Sequence, residues 1–246
     1  MKTLHFAVIL VHMLTFCYAD TNEQSPLQCS EADDSAKDTT FQTNLRSLLD
    51  SLLANGPLEK GFYKTKVGKK SERVFGLVQC RGDVSANDCA NCTRSAVKAC
   101  LDQCPKSKKV LVWSRWCFLR YSDYDFFGVM DKTSFSLSND TDFDDPNVVS
   151  KALDFMSGLA FTVQKQPLLF QTGVLDGGSS GKRYGMVQCT RDISSTDCGK
   201  CLQSQLSDFR TTIGNKRGWE VYGTSCFMWY HDDQFYFNIS TSTSEG

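Results

Sequence analysis

Four cysteines in two short pairs, Cys89-x2-Cys92 and Cys198-x2-Cys201, have the spacing best suited to chemistry in this chain. As reduced thiols they would match a four-cysteine zinc site, and either pair alone would match the dithiol of a thiol oxidoreductase. A third possibility is a thiolate nucleophile with an imidazole base, for which His231 and its nearest cysteine in sequence, Cys226, are the pair to consider. All three chemistries need free thiols. The redox compartment therefore decides between them and a disulfide scaffold.

The first nineteen residues point to export. Met1-Lys2 gives a positive start, Leu4 to Phe16 is an apolar run interrupted by His5, His12 and Thr15, and Cys17-Tyr18-Ala19 places small residues before a cleavage point. Residues 1–19 are expected to be a signal peptide, and no later stretch approaches the ~20 apolar residues of a membrane helix. Cleavage removes Cys17, His5 and His12, leaving eleven of the twelve cysteines and His231 alone of the three histidines. In an oxidising compartment those cysteines are expected in bridges, and the odd count leaves at least one thiol free or paired between chains. Metal and cofactor chemistry are correspondingly not expected. With 27 basic against 28 acidic side chains and a net charge of −1, nothing draws the chain to nucleic acid or to an anionic membrane.

The chain is written twice. Phe75-Gly76-Leu77-Val78-Gln79-Cys80 recurs as Tyr184-Gly185-Met186-Val187-Gln188-Cys189, 109 residues later. Each copy continues as Cys-x8-Cys-x2-Cys, and the same offset carries Cys117-Phe118-Leu119 onto Cys226-Phe227-Met228. Two homologous units follow, at 27–134 and 135–240, joined by an acidic stretch ahead of Pro146.

Each unit must position these cysteines with the same elements. Phe41, Leu45, Leu48, Leu49 and Leu52 fall at helical spacing and end at Asn55-Gly56-Pro57, so a helix is expected first. Its counterpart carries Val149, Leu153, Met156, Leu159 and Ala160. Strands are expected around Gly61 to Thr65 and Arg73 to Cys80. Ser85 to Asp88 and Ser194 to Asp197 resemble capping boxes with Asp in place of Glu, opening a second helix. The aromatic and β-branched runs Val110 to Tyr121 and Tyr124 to Met130 read as further strands. The fold class is α+β, two tandem repeats each with an antiparallel sheet carrying two helices.

Comparison of the copies narrows the pairing. The four cysteines of unit two allow three connectivities, whereas unit one adds Cys29, Cys100 and Cys104. Cys104 maps onto Ile213, and no cysteine lies between Cys117 and Cys189, so the counterpart of Cys29 is also missing. Joint absence suggests a Cys29–Cys104 bridge. Cys100 remains, on the helix face of Cys89, Cys92 and Ala96 and aligned with Phe209. It reads as a buried free thiol, with exchange with Cys104 or an interchain bridge as the alternatives.

The Cys-x8-Cys-x2-Cys run preceded by Gly-Leu-Val-Gln, with Cys104-Pro105 and Trp113 to Tyr121 downstream, resembles the plant ginkbilobin-like, stress-antifungal repeat. Two copies behind a signal peptide resemble a cysteine-rich repeat secretory protein. The resemblance implies a five-stranded antiparallel sheet and two helices per repeat. It also implies the bridges Cys29–Cys104, Cys80–Cys89, Cys92–Cys117, Cys189–Cys198 and Cys201–Cys226. Some single-repeat members bind mannose through an Asn after the first cysteine and through an Arg and a Glu flanking the last. Those positions hold Ser30, Leu111 and Ser122 in unit one. In unit two the last two become Glu220 and His231, with Asn139 only approximately at the first. Glu220 reverses the charge where Arg is expected, so the residues do not support the sugar site.

The remaining motifs have plainer readings. Arg81-Gly82-Asp83 spells an adhesion tripeptide, but its counterpart Thr190-Arg191-Asp192 keeps only the aspartate, which favours a turn-and-cap role. Lys106, Lys108 and Lys109 follow a helix end, where cations complement the dipole. Sequons occur at Asn91, Asn139 and Asn238, of which Asn139 lies in the polar junction. Trp113, Trp116, Tyr121, Tyr124, Phe126 and Phe127, with their unit-two equivalents, read mostly as sheet core, and exposed members could stack on a sugar or a partner. The expected function is a secreted, non-enzymatic binding protein of the plant apoplast in defence or stress, with a second copy of the chain, as a homodimer, among the partners considered. Its partner would be a cell-wall or microbial glycan or a receptor ectodomain, with the ligand-binding residues unassigned. The alternatives are a mannose-binding antifungal lectin and an extracellular thiol oxidoreductase.

Overall fold

The computed structural model describes residues 24–32, 39–143, 146–178 and 181–238. The signal peptide expected at 1–19, with Cys17, lies outside them. The first unit runs β1 (Gln24–Cys29), α1 (Thr39–Asn55), β2 (Phe62–Val67), β3 (Val74–Cys80), α2 (Ala86–Gln103), β4 (Val110–Ser114) and β5 (Cys117–Ser122). The second repeats it as β6 (Ser134–Ser138), α3 (Pro146–Thr162), β7 (Phe170–Asp176), β8 (Lys182–Cys189), α4 (Ser195–Asp208), the short α5 (Arg210–Ile213), β9 (Trp219–Gly223) and β10 (Cys226–His231). Both sheets are five-stranded and antiparallel, in the orders β1-β4-β5-β3-β2 and β6-β9-β10-β8-β7.

Two elements differ from the sequence reading. A strand, not a helix, opens each unit, and it starts at Gln24 and Ser134, ahead of the boundaries at 27 and 135. β1 carries no alternating pattern and contains Pro26. It is an edge strand whose register on β4 breaks between Gln24 and Leu27, where proline is tolerated. Tyr124 to Met130 is not a strand. The Phe127 amide donates to Asp125 Oδ1 at 3.2 Å, an Asx-type turn, and Gly128 follows at φ 75°, a left-handed conformation open to glycine at little cost. The apolar content that suggested a strand belongs to a buried turn, with Phe126 only 2% exposed.

The capping boxes form as dipoles at helix starts favour. Asp88 N and Asp197 N donate to Ser85 Oγ and Ser194 Oγ at 3.1 and 3.0 Å, and each serine hydroxyl donates back to its aspartate. One face of each sheet packs on its helices. Leu48, Leu52, Val78 and Leu119 belong to the first of these cores, and Met156, Val187, Leu202 and Met228 to the second.

The other faces pack on each other. Phe75, Leu77, Trp113 and Phe118 from one repeat meet Met186, Tyr222, Phe227 and Trp229 from the other in a third core. This explains why β3, β4, β5 and β9 are buried at every position instead of at alternate ones. Equivalent residues play equivalent parts, as across an isologous interface. The equivalent rings Phe118 and Phe227 face each other at 5.5 Å. Gly128 N donates to Asp192 Oδ2 at 3.1 Å, and the equivalent Phe237 N donates to Asp83 Oδ2 at 2.7 Å. A Cβ on Gly82 would lie 2.4 Å from the Phe170 ring, so glycine is what permits the close approach of the repeats there.

Candidate functional site

The cysteines that first suggested chemistry are joined to distant partners. The bridges are Cys29–Cys104, Cys80–Cys89, Cys92–Cys117, Cys189–Cys198 and Cys201–Cys226. Cys89 and Cys92, and likewise Cys198 and Cys201, sit one turn apart on α2 and α4. Each ties its helix to a different strand, which leaves neither a zinc-binding set nor a dithiol. Cys100 is free, buried beside them, and burial pushes its thiol up to about 12. A maleimide applied without denaturant is expected to leave Cys100 unmodified and to label it fully after unfolding. Rapid labelling of the folded protein would contradict its burial.

The positions matching the family's sugar site fare differently in the two repeats. In the first, Ser30 N donates to Lys109 O at 2.8 Å, and Leu111 and Ser122 are buried. In the second, Asn139, Glu220 and His231 are brought together around Gly218. Gly218 N donates to Asn139 Oδ1 at 3.1 Å, and a Cβ on Gly218 would fall 2.8 Å from His231 Nδ1. His231 Nε2 lies 3.0 Å from Glu220 Oε1, and the Tyr222 hydroxyl donates to Glu220 Oε2. Arg115 of the first repeat reaches Glu220 Oε1 at 3.4 Å. Glu220 therefore joins the repeats instead of facing solvent.

Desolvation would raise the Glu220 carboxyl, but the hydrogen bonds from His231 and Tyr222 and the nearby charges of His231 and Arg115 outweigh it. The carboxyl is held below the usual carboxylate range. A lowered folded value means that its contribution to stability is present above the unfolded value of about 4.3 and is lost as pH falls through the folded value. Glu220→Gln is thus expected to be less stable than the parent at neutral pH, with the gap closing below about pH 4.3. Denaturant titrations across that range check this, and a gap independent of pH would contradict it.

Beside this pair lies a cleft between the repeats, whose space for a water-sized group is about 20 Å³. Arg81 lines it, with a guanidinium 5.8 Å from the Trp229 ring and 5.6 Å from the Phe237 ring. The Arg81 Nε is 2.6 Å from Asp83 Oδ1, both side chains being almost wholly buried. The adhesion tripeptide is accordingly interior, holding the Phe235–Phe237 turn through Asp83. The Arg115 guanidinium also lies 5.4 Å from the Trp229 ring. The cleft was not legible in the sequence, because its wall is shared between residues about 110 positions apart. The one available signal was that strand runs such as Val110 to Ser114 are apolar on both faces.

The remaining candidates are peripheral. Asn91 is exposed on α2, but Thr93 of its sequon is buried, its hydroxyl donating to Cys89 O at 2.8 Å. Asn139 is exposed at the end of β6, and Asn238 is exposed with its sequon continuing beyond the described residues. Lys109 lies 5.3 Å from the Tyr124 ring and Lys108 5.9 Å from that of Phe41. Trp113, Phe126 and Trp229, which could have offered a stacking surface, instead belong to the core between the repeats. No helix among the described residues is long and apolar enough to cross a membrane.

Comparison with known proteins agrees with this architecture. The chain is 39% identical over 192 residues to the antimicrobial ginkbilobin-2-like protein of Castanea crenata, covering 77% of this chain and 79% of that one. It is 31% identical over 251 residues to cysteine-rich repeat secretory protein 55 of Arabidopsis thaliana, covering 97% and 93%. The tandem DUF26 ectodomain of the Arabidopsis thaliana cysteine-rich receptor-like protein PDLP8 superposes with a TM-score of 0.75 at 26% identity, over 87% of this chain and 100% of that one. The family model described as salt stress response/antifungal matches twice, at residues 28–124 and 136–233. With two copies of that domain, the chain belongs to the Stress-antifung (DUF26) family of cysteine-rich proteins.

Proposed function

We propose that this chain is a secreted, non-enzymatic binding protein of the plant extracellular space, acting in defence or stress by recognising a glycan or the ectodomain of another protein. The observation that carries this reading is how the reactive side chains are engaged. Ten cysteines are bridged, Cys100 is buried, and His231 is tied to Glu220 inside a seam, so the scaffold is rigid while its reactive groups serve structure. The names of the relatives, antimicrobial and secretory, point the same way. The oxidoreductase alternative would need a Cys-x2-Cys dithiol, and both pairs are bonded elsewhere.

One observation favours the mannose-lectin alternative: Asn139, Glu220 and His231 do converge. Glu220, however, already receives donors from His231, Tyr222 and Arg115, so a sugar hydroxyl would have to displace one of them. The mature protein applied to a glycan array and to a panel of plant receptor ectodomains tests both readings. Saturable binding without turnover supports the proposal, and mannose binding abolished by Asn139→Ala would move it to the lectin. Absence of binding on both surfaces would overturn it.

A further inference from the structure

An edge strand presents a row of unpaired backbone groups, which folded proteins ordinarily blunt with proline, charge, bulges or cover. Three of the four sheet edges are blunted. β1 holds Pro26 and a break in register, and β2 exposes Lys64 and Lys66. β7 contains Gly173, which weakens a strand and whose carbonyl receives the Tyr236 hydroxyl at 3.0 Å. β6 is the exception. Its sequence, Ser134-Phe135-Ser136-Leu137-Ser138, has no charge, proline or glycine, and its register on β9 is unbroken. Thr224 N donates to Thr133 O and Asn139 N to Gly218 O, each at 3.0 Å, so residues 133, 135, 137 and 139 turn their backbone groups toward β9. By alternation Ser134, Ser136 and Ser138 turn theirs outward, where among the described residues no strand pairs with them. Leu137, on the same face as half-buried Phe135, is 46% exposed.

We propose that β6 pairs antiparallel with β6 of a second copy of this chain, about a two-fold axis at Ser136, so that the two second-repeat sheets run on as one. The strand is complementary to itself in this register. Ser136 faces Ser136 of the second copy and Ser134 faces Ser138, so every outward residue meets an outward residue and each facing pair exchanges two N–H···O bonds. Between them exposed Leu137 comes directly opposite Phe135 of the second copy, an aromatic–aliphatic pair on one face. Just beyond the strand ends, the same register sets Lys132 opposite Asp140 of the second copy, twice by symmetry. Both side chains are exposed, and their charges are opposite. A two-fold contact consumes the edge it uses, so association stops at the dimer. The inference is independent of the proposed binding role, which a monomer could equally perform.

The test is sedimentation velocity of the whole mature protein from about 5 to 500 μM, a range chosen because edge pairing of this length is a small interface and its association weak. It is run also on Thr141→Ala, which abolishes the Asn139 sequon beside the edge and leaves the strand unchanged. The expected result is a concentration-dependent monomer–dimer equilibrium in the sequon-free chain. Ser136→Pro, which removes an outward donor that β9 does not use, is expected to leave a folded monomer. Lys132→Asp and Asp140→Lys each set like charges face to face and are expected to weaken the dimer about tenfold, while the double reversal restores it. This charge-swap cycle reads the register without depending on the proline variant. A monomer throughout the range in the sequon-free chain, a dimer indifferent to Ser136→Pro, or single reversals that the double does not rescue would each overturn the pairing. Slow hydrogen exchange at the Ser134, Ser136 and Ser138 amides of the dilute monomer would show the edge already covered within the chain, and would overturn it too.

Discussion

Replacing Phe118 and Phe227 together with alanine is expected to uncouple the two repeats. These rings are equivalent residues of the two units, meeting at 5.5 Å, and both are buried in the core between the sheets. Truncating one buried phenylalanine costs about 3–5 kcal/mol, a fall in Tm of about 10 °C for a chain of this size. Because each ring is the other's neighbour, the double variant should cost less than the sum of the singles. The bridges within each unit do not cross the interface, so each repeat keeps its own core. Thermal unfolding should then separate into two steps. A double variant that still melts in one step near the parent temperature would show that these rings do not hold the repeats together.

The second large effect is expected at Cys92–Cys117, with both residues changed to alanine. The bridge closes a loop of sequence separation 25, for which chain entropy gives about 3.5 kcal/mol. It also joins α2 to β5 at the centre of the first core, where both sulfurs are buried, so lost packing adds about 1 kcal/mol or more. The longer loop closed by Cys29–Cys104, at separation 75, has a larger entropic term of about 4.4 kcal/mol. Cys29 however lies on an exposed edge strand, and the second repeat folds with buried Ile213 in place of Cys104. The central bridge should therefore matter at least as much as the longer one. Urea midpoints check this, and the equivalent Cys201–Cys226, with the same separation, should show the same loss. A Cys92/Cys117 double variant as stable as the parent would contradict the assigned role.

Much of each unit was legible because its signals are local. The helices announced themselves through Leu45, Leu48 and Leu52 and through the serine caps, and the repeated cysteines marked equivalent positions. What was not legible depends on contacts between distant segments. β1 holds no periodic signal, since an edge strand needs only one partner and tolerates Pro26. Tyr124 to Met130 looked like a strand because Phe126 and Phe127 are core residues, although they enter the core from a turn. The aromatic set read mostly as sheet core, but the sequence did not say that Trp113 and Trp229 would be covered by the opposite repeat, a fact that no single unit contains. Glu220 illustrates the same limit: aligned alone it is a charge reversal, and in the fold it is the group that receives Arg115 from across the seam.

The central claim is that the aromatic faces of the two sheets close on each other, making the two repeats one cooperative body. Scanning calorimetry of the oxidised mature protein tests it most directly. A single transition is expected, with equal calorimetric and van't Hoff enthalpies, as for one cooperative unit. Two independent transitions, each with the enthalpy of about half the chain, would contradict it.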